Sequence, residues 1–172
     1  MTIWFISDTH FGHSNIIKYC NRPFNTIEDM NNCLIDNINK TVKKEDVLYH
    51  LGDFCFGDAE QYRTRLKCDN IHIILGNHDP RQKSKRFEKF KNLFSSVSTY
   101  KELIIDDMHI VLHHYPLNNL NIKLKLKENS IYLHGHCHNK SAYKHNTILH
   151  KDLSVEGINY APVTLKDILC SI

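Results

Sequence analysis

Five short apolar runs are spread along the chain: Ile3-Trp-Phe-Ile6, Val47-Leu-Tyr-His-Leu51, Ile71-His-Ile-Ile-Leu75, Ile110-Val-Leu112 and Ile131-Tyr-Leu133. Each has the length of a buried strand. Around the first three the spacing turns helical. Asn25 and Glu28 predict a helix start of the capping-box type, after which Ile27, Met30, Leu34 and Ile38 fall on one face as far as about Lys40. Asp58 can cap a second helix with Tyr62 and Leu66 turned inward, and Ser84 a third with Phe87, Phe90 and Leu93 or Phe94 inward. From Leu103 the pattern becomes one of strands. Leu103 to Leu112 reads as a hairpin turning at Asp106-Asp107, and strands continue at Ile131 to Leu133 and Ile148 to Val155. An α/β chain of two packed sheets with helices outside accounts for this order. No internal repeat or linker interrupts it.

The residues just past each apolar run speak of chemistry as well as fold. Asp8-Thr-His10, Gly52-Asp53, Gly76-Asn77-His78-Asp79, His113-His114 and Gly135-His136-Cys137-His138 all stand at the end of a predicted strand. In α/β sheets the crevice at the carboxyl ends of the strands is where ligands bind, so these segments predict one shared site. Asp8, His10, Asp53, Asn77, His114, His136 and His138 are too many donors for one tetrahedral zinc and suit two ions bridged by a carboxylate. Taken singly, Asp-x-His or Gly-His-x-His is an ordinary turn pattern; their joint presence is what carries weight. Gly-Asn-His-Asp is more specific, because its glycine allows a tight turn and three polar side chains come after it without an apolar residue.

Asp-x-His, Gly-Asp, Gly-Asn-His-Asp, a later His and Gly-His-x-His, in that order, resemble the calcineurin-like metallophosphoesterase family. Ser7 to His13, Asn21-Arg22-Pro23-Phe24, Tyr49 to Phe54, His114-Tyr115-Pro116 and Asn159 to Pro162 also resemble its small single-domain bacterial and phage members. The resemblance implies a four-layer α-β-β-α sandwich with two packed mixed sheets. It also implies a first metal held by Asp8, His10, Asp53 and His138, and a second held by Asp53, Asn77, His114 and His136. A carboxylate has two oxygens, one for each cation, which supports Asp53 as the bridge. Mixed nitrogen and oxygen donors without cysteine point to manganese first, with iron, nickel or zinc as the other choices. Adjacent strand residues face opposite ways, so only one of His113 and His114 can turn inward, and His-Tyr-Pro favours His114. His113, His50 and His134 are then packing or supporting histidines, and Cys137 packs away from its two neighbours.

The implied activity is hydrolysis of a phosphate ester, with a phosphodiesterase acting on a small nucleotide-like substrate favoured. A metal-activated hydroxide attacks phosphorus and His78 assists the leaving group. Asp79 or the neighbourhood of Asp53 would orient His78. His13 and Arg22 are candidate phosphate contacts; the planar fork of Arg22 suits a phosphate, and a structural role before Pro23 is its alternative. A phosphomonoesterase and a catalytically silent scaffold of the same fold are the other readings, although a scaffold would be expected to have lost some donors.

Composition narrows the setting. The 172 residues predict one domain over 1–172. Six cysteines without paired spacing, and an opening directly on a strand, predict a cytoplasmic protein with no membrane partner. Arg81, Lys83, Lys85, Arg86, Lys89 and Lys91 form one basic stretch beside a catalytic motif, and Lys123, Lys125 and Lys127 alternate with apolar residues as on a protected edge strand. The first could attract anionic substrates through a screened field. A net charge of +3 is too small to argue for nucleic acid, which stays open as a partner.

Overall fold

The computed structural model describes residues 1–117, 130–138 and 148–171. Its first half alternates strands and helices: β1 (Ile3–Ile6), α1 (Ser14–Tyr19), α2 (Ile27–Thr41), β2 (Val47–His50), α3 (Ala59–Arg63), β3 (Asn70–Ile74), α4 (Lys85–Lys91) and β4 (Ser96–Ser98). Then come β5 (Tyr100–Ile105), β6 (Met108–His113), β7 (Ile131–His134), β8 (Leu149–Asp152), a 3-10 turn at Val155–Gly157 and α5 (Leu165–Cys170). The strands form two sheets, ordered β1-β2-β3-β4 and β5-β6-β7-β8. Together with the helices they give the α/β two-sheet architecture of the metallophosphoesterase fold. The first sheet is parallel throughout; the second is mixed, with β5 antiparallel to β6 and the rest parallel.

Right-handed crossovers between parallel strands in this sequential order place the connecting helices on one face of the first sheet. Both sheets contribute to one buried cluster. Phe5, Leu48, Ile71 and Ile73 contribute from the first sheet, and Ile110, Leu112, Ile131 and Leu133 from the second. The sheets also meet along an edge. Ser7, just past β1, forms a parallel bridge with Ser154, just past β8, and Phe5 pairs with Val163. Because that bridge is parallel, the carboxyl ends of β1, β2 and β3 lie on the same side as those of β6, β7 and β8.

Local chemistry explains the turns and ends, with a few differences from expectation. Thr26, not Asn25, caps α2, its hydroxyl accepting from Asp29 N; the capping side chain must sit one residue before the first helical turn. Asp106 and Asp107 have φ of 49° and 62°, the left-handed pair that a two-residue hairpin turn requires. Ser84 precedes α4 without a side-chain capping bond. The short α1 and α5 were not predicted, because six residues are too few to set a period; α5 carries a full capping box of Thr164 and Asp167. Lys123, Lys125 and Lys127 lie outside the described residues. No helix among the described residues is long and apolar enough to cross a membrane, and no disulfide joins the cysteines there.

Candidate metal centre

The segments just past β1, β2, β3, β6 and β7 deliver the candidate donors to the shared edge, and the backbone bends sharply at most of them. Asp8, His10, Asp53, His136 and His138 all have left-handed φ, between 49° and 72°. Such values are uncommon for residues with a Cβ and gather where function needs them. Two glycines make the bends possible. Gly52, at φ +101°, has no room for a side chain, since a Cβ there would lie 2.6 Å from Gly76 N, and one on Gly76 would run into the Asp53 carboxylate. The loops after β2 and β3 are thus pressed together around Asp53.

Both central carboxylates divide their oxygens between protein and site. Asp8 Oδ2 accepts from Ser7 Oγ, from His136 N at 3.0 Å and from Ser154 Oγ at 3.2 Å. Asp8 Oδ1 is buried with no hydrogen-bond partner. It lies 3.7 Å from both His10 Nε2 and His138 Nε2. Asp53 Oδ1 accepts from His78 N at 2.8 Å, which leaves Oδ2 3.5 Å from His10 Nε2 and 3.6 Å from His114 Nε2. Asp53 therefore offers a single oxygen to both sides, where one oxygen for each ion was expected, because the backbone N–H of His78 occupies the other. On the far side Asn77 Oδ1 lies 3.1 Å from His114 Nε2 and 2.9 Å from His136 Nδ1.

These distances divide the seven candidates into two groups that share Asp53. Metal–ligand bonds of about 2.1 Å separate neighbouring donors by roughly 3.0–3.4 Å, close to the spacing found. Two sets, Asp8 with His10 and His138 and Asp8 with Asp53 and His114, have ligand atoms within 4.8 Å of one another. Both ring nitrogens of the buried His10 lack any hydrogen-bond partner, which a bound cation would remedy at Nε2. The donor set fits two divalent ions.

Partners behind the donors fix the tautomers. His114 is fully buried and Nδ1 donates to Leu51 O at 2.8 Å, which aims Nε2 at the donor group. It is His114 that turns inward, on the same strand face as Ile110 and Leu112, while His113 Nδ1 meets backbone atoms of Tyr115. His50, also buried, bonds Thr9 Oγ1 at 2.9 Å, and burial pushes its pKa down to about 3, the signature of a neutral structural imidazole. Cys137 lies by His134 and Asp152, apart from the seven candidates.

Two residues have roles that differ from expectation, and one was missed. Arg22 is 4% exposed and does not reach out for phosphate: Nη1 and Nη2 donate to Thr9 O and Asp8 O at 2.9 and 2.7 Å, and Nε to Glu156 Oε1 at 2.8 Å. Its fork braces the loop that carries Asp8 and His10. Asp79 does not orient the His78 ring, since its two oxygens accept from Asp53 N, Phe54 N and Gly76 N at 2.8–3.0 Å and so clamp the Asp53 loop. Glu156 escaped the sequence reading. Its Oε1 takes both the Arg22 Nε bond and one from His138 Nδ1 at 3.0 Å, a carboxylate–histidine pair of the kind that aims a metal ligand. The only sequence signal was an acidic residue just past the run ending at Val155.

Charge on the donors depends on each other. Burial pushes the Asp53 pKa up to about 7, against the lowering by His114. For Asp8 burial also acts upward, but His10, His114 and His138 outweigh it and hold the carboxyl well below the usual range. Burial lowers His10 to about 4. His138 goes the other way, to about 10: burial opposes the rise, and Cys20, Glu156 and Asp8 overcome it. His78 is more open, with 43% of its side chain exposed, and its Nε2 stands 4.0 Å from Asp53 Oδ2. His13 stacks on Phe56 with ring centroids 3.9 Å apart, within 6.3 Å of the His78 ring.

Comparison with known proteins places this geometry among relatives. A family model described as the calcineurin-like phosphoesterase superfamily domain matches residues 1–152. An uncharacterized protein of Methanocaldococcus jannaschii, MJ1445, is 37% identical over 171 residues, covering 95% of this chain and 86% of that protein. The structure of AQ665 from Aquifex aeolicus, a protein of unknown function, aligns with a TM-score of 0.76 and 27% identity, over 99% of this chain and 98% of the other. YfcE, a phosphoesterase from E. coli, aligns with a TM-score of 0.52 at 17% identity, over 96% of this chain and 82% of the other, a likeness of fold.

Proposed function

Because the chain belongs to the calcineurin-like phosphoesterase superfamily, we propose that it is a two-metal phosphodiesterase acting on a small nucleotide-like ester. The single oxygen that Asp53 turns toward both donor groups is the observation that carries this reading. Asp8, His10, Asp53 and His138 would hold one divalent ion, and Asp53, Asn77, His114 and His136 the other. When bound, the ions supply Lewis acidity toward the phosphoryl oxygens and make water a competent nucleophile near neutral pH. Nitrogen and oxygen donors without thiolate favour manganese, with iron, nickel or zinc as alternatives.

The chain's own groups do the rest. Arg22 and Asp79 hold the two ligand loops from behind, and Glu156 keeps His138 Nδ1 protonated so that Nε2 faces the ion. His78, outside both donor groups and open to solvent, is the proton donor to the leaving oxygen. Burial and neighbouring histidines lower its pKa in the free protein; an arriving phosphate anion raises it, so substrate and proton load together. His13 and Phe56 form a stacked wall beside it.

The test is a panel of bis-p-nitrophenyl phosphate, p-nitrophenyl phosphate and 2′,3′- and 3′,5′-cyclic nucleotides. Each is assayed with manganese, nickel, zinc and magnesium after chelator treatment. Turnover of diesters that is lost on chelation and restored by a transition metal is expected. Folded protein inactive in every combination would overturn the enzyme reading in favour of a scaffold, and a preference for the monoester would make it a phosphomonoesterase.

A further inference from the structure

Next to the metal centre lies a cavity of about 710 Å³, within the size range of small-molecule sites. Asn77, His78 and Asp79 line it on the side of the donor groups, Phe56, Ala59, Phe90 and Leu93 supply apolar walls, and Arg81, Arg86 and Lys89 supply cations. Lys89 is already neutralised, with Nζ 3.1 Å from both Asp58 Oδ2 and Glu60 Oε2. Arg81 and Arg86 are exposed and make no salt bridge or side-chain hydrogen bond among the described residues. Ser84 also lines the cavity, and its Oγ is buried without a hydrogen-bond partner. Phe56 is 38% exposed, with its ring stacked on that of His13. An aromatic face, two guanidinium groups without a salt bridge among the described residues and an unpaired hydroxyl thus share one chamber that opens beside His78.

We propose that this cavity is the leaving-arm subsite, and that it takes a nucleoside bearing a second phosphate. The inference rests on phosphoester hydrolysis with His78 as proton donor, since that places the departing oxygen at the cavity's inner end. In the reaction the P–O bond to this arm breaks and its oxygen keeps the electron pair and takes the His78 proton. Water supplies the oxygen that replaces it on phosphorus. The base or sugar of the arm lies against Phe56 and the apolar wall, and its own phosphate meets Arg81 and Arg86, whose forks suit phosphate oxygens. Substrates of this chemistry are diesters linking one nucleotide to another group through the nucleotide's free hydroxyl.

Equilibrium titration of the full chain with adenosine 3′-monophosphate, adenosine and inorganic phosphate, both metal-loaded and after chelation, tests the assignment without needing turnover. The nucleotide is expected to bind the chelated protein more tightly than either fragment. The Arg81→Ala/Arg86→Ala double variant should weaken the nucleotide roughly tenfold or more, the scale of one lost charge-assisted contact, and leave adenosine unchanged. Phe56→Leu should weaken nucleotide and adenosine alike. Lys166→Ala, an exposed charge change outside the cavity lining, should leave all three unaltered. Nucleotide binding that vanishes on chelation and is indifferent to the double variant would overturn the proposal, since the phosphate would then go to the ions alone. Equal weakening by Lys166→Ala would overturn it as well, by showing a general charge effect. If the subsite binds as described but the loaded wild type hydrolyses no ester, the enzyme reading fails while the subsite stands.

Discussion

Replacing Asp79 separates two roles that its place after His78 permits. The residue is 6% exposed, and its carboxylate accepts three backbone N–H groups: Oδ2 from Asp53 and Gly76 at 2.9 and 2.8 Å, Oδ1 from Phe54 at 3.0 Å. Alanine would orphan all three. At about 1–3 kcal/mol for each buried donor left unsatisfied, the loss sums to roughly 3–9 kcal/mol, against a total stability of about 5–15 kcal/mol for a typical domain. Asp79→Ala is therefore expected to accumulate largely unfolded. Asparagine is milder. Its carbonyl oxygen can keep the Asp53 and Gly76 donors while its amide meets Phe54 N–H donor to donor, so one bond is lost for about 1–3 kcal/mol. Burial raises the Asp79 pKa, and relief of that desolvation pulls the asparagine variant toward the lower end. For a chain of this length that is a fall in Tm of roughly 2–12 °C. Thermal unfolding of chelated protein, with metal titration alongside, reads it directly. An Asp79→Asn protein with unchanged Tm and metal affinity but a collapsed kcat would refute the clamp and return Asp79 to the service of His78.

Three further outcomes rest on the same geometry. Glu156→Gln removes the charge behind His138, and metal affinity at the Asp8–His10–His138 group should fall by about 10- to 100-fold, the usual scale for such a partner, while the Asn77–His114–His136 group is spared; a competitive chelator titration that found both groups equally weakened would count against the assignment. Because His138 is raised to about 10 and Asp53 to about 7, the metal-free protein near neutral pH carries a proton on His138 and a partial one on Asp53, so metal uptake should release protons and affinity should rise with pH; calorimetry in buffers of different ionisation enthalpy that detects no release would contradict this. His78→Ala should keep its metals yet lose kcat by roughly 10²- to 10⁴-fold on an ester with a poor leaving group and far less on a p-nitrophenyl ester; loss of metal would instead make His78 a ligand.

The sequence was most legible where a physical period or a rare residue type marked the chain. Short apolar runs located strands, and Asp, Asn or His placed just past each run located the side chains that converge. Strand alternation allowed only one of His113 and His114 to turn inward, and the resemblance of His-Tyr-Pro to the family's motif chose His114. It was least legible where the partner lies far along the chain. Glu156 reaches His138 and Arg22 because the segment after β8 pairs with the segment after β1 through Ser7 and Ser154, and no local pattern announces that bridge. Asp79 was misread, and Arg22 left between two roles, for another reason. A guanidinium or a carboxylate beside a site can serve either the ligand or the backbone that holds the site, and residue type is the same in both cases. Only their bonds to the carbonyls of Asp8 and Thr9, and to the N–H groups of Asp53, Phe54 and Gly76, decide.

Those backbone bonds explain how the chain tolerates its own geometry. Five of the seven candidate donors sit in the left-handed region, each at a cost of about 1–2 kcal/mol relative to an ordinary conformation. A flexible loop would relax out of such states. Here Asp79 holds the bend at Asp53, Arg22 holds the one around Asp8, and Asp8 Oδ2 accepts from His136 N and so ties the β7 loop to the β1 loop. The strain is thus offset by bonds that do not involve any metal, which makes the donor arrangement a property of the fold. On the proposed reading, a site built this way would meet its ions with the donors already placed, and the open oxygens of Asp8 and Asp53 would be the groups left for them to satisfy.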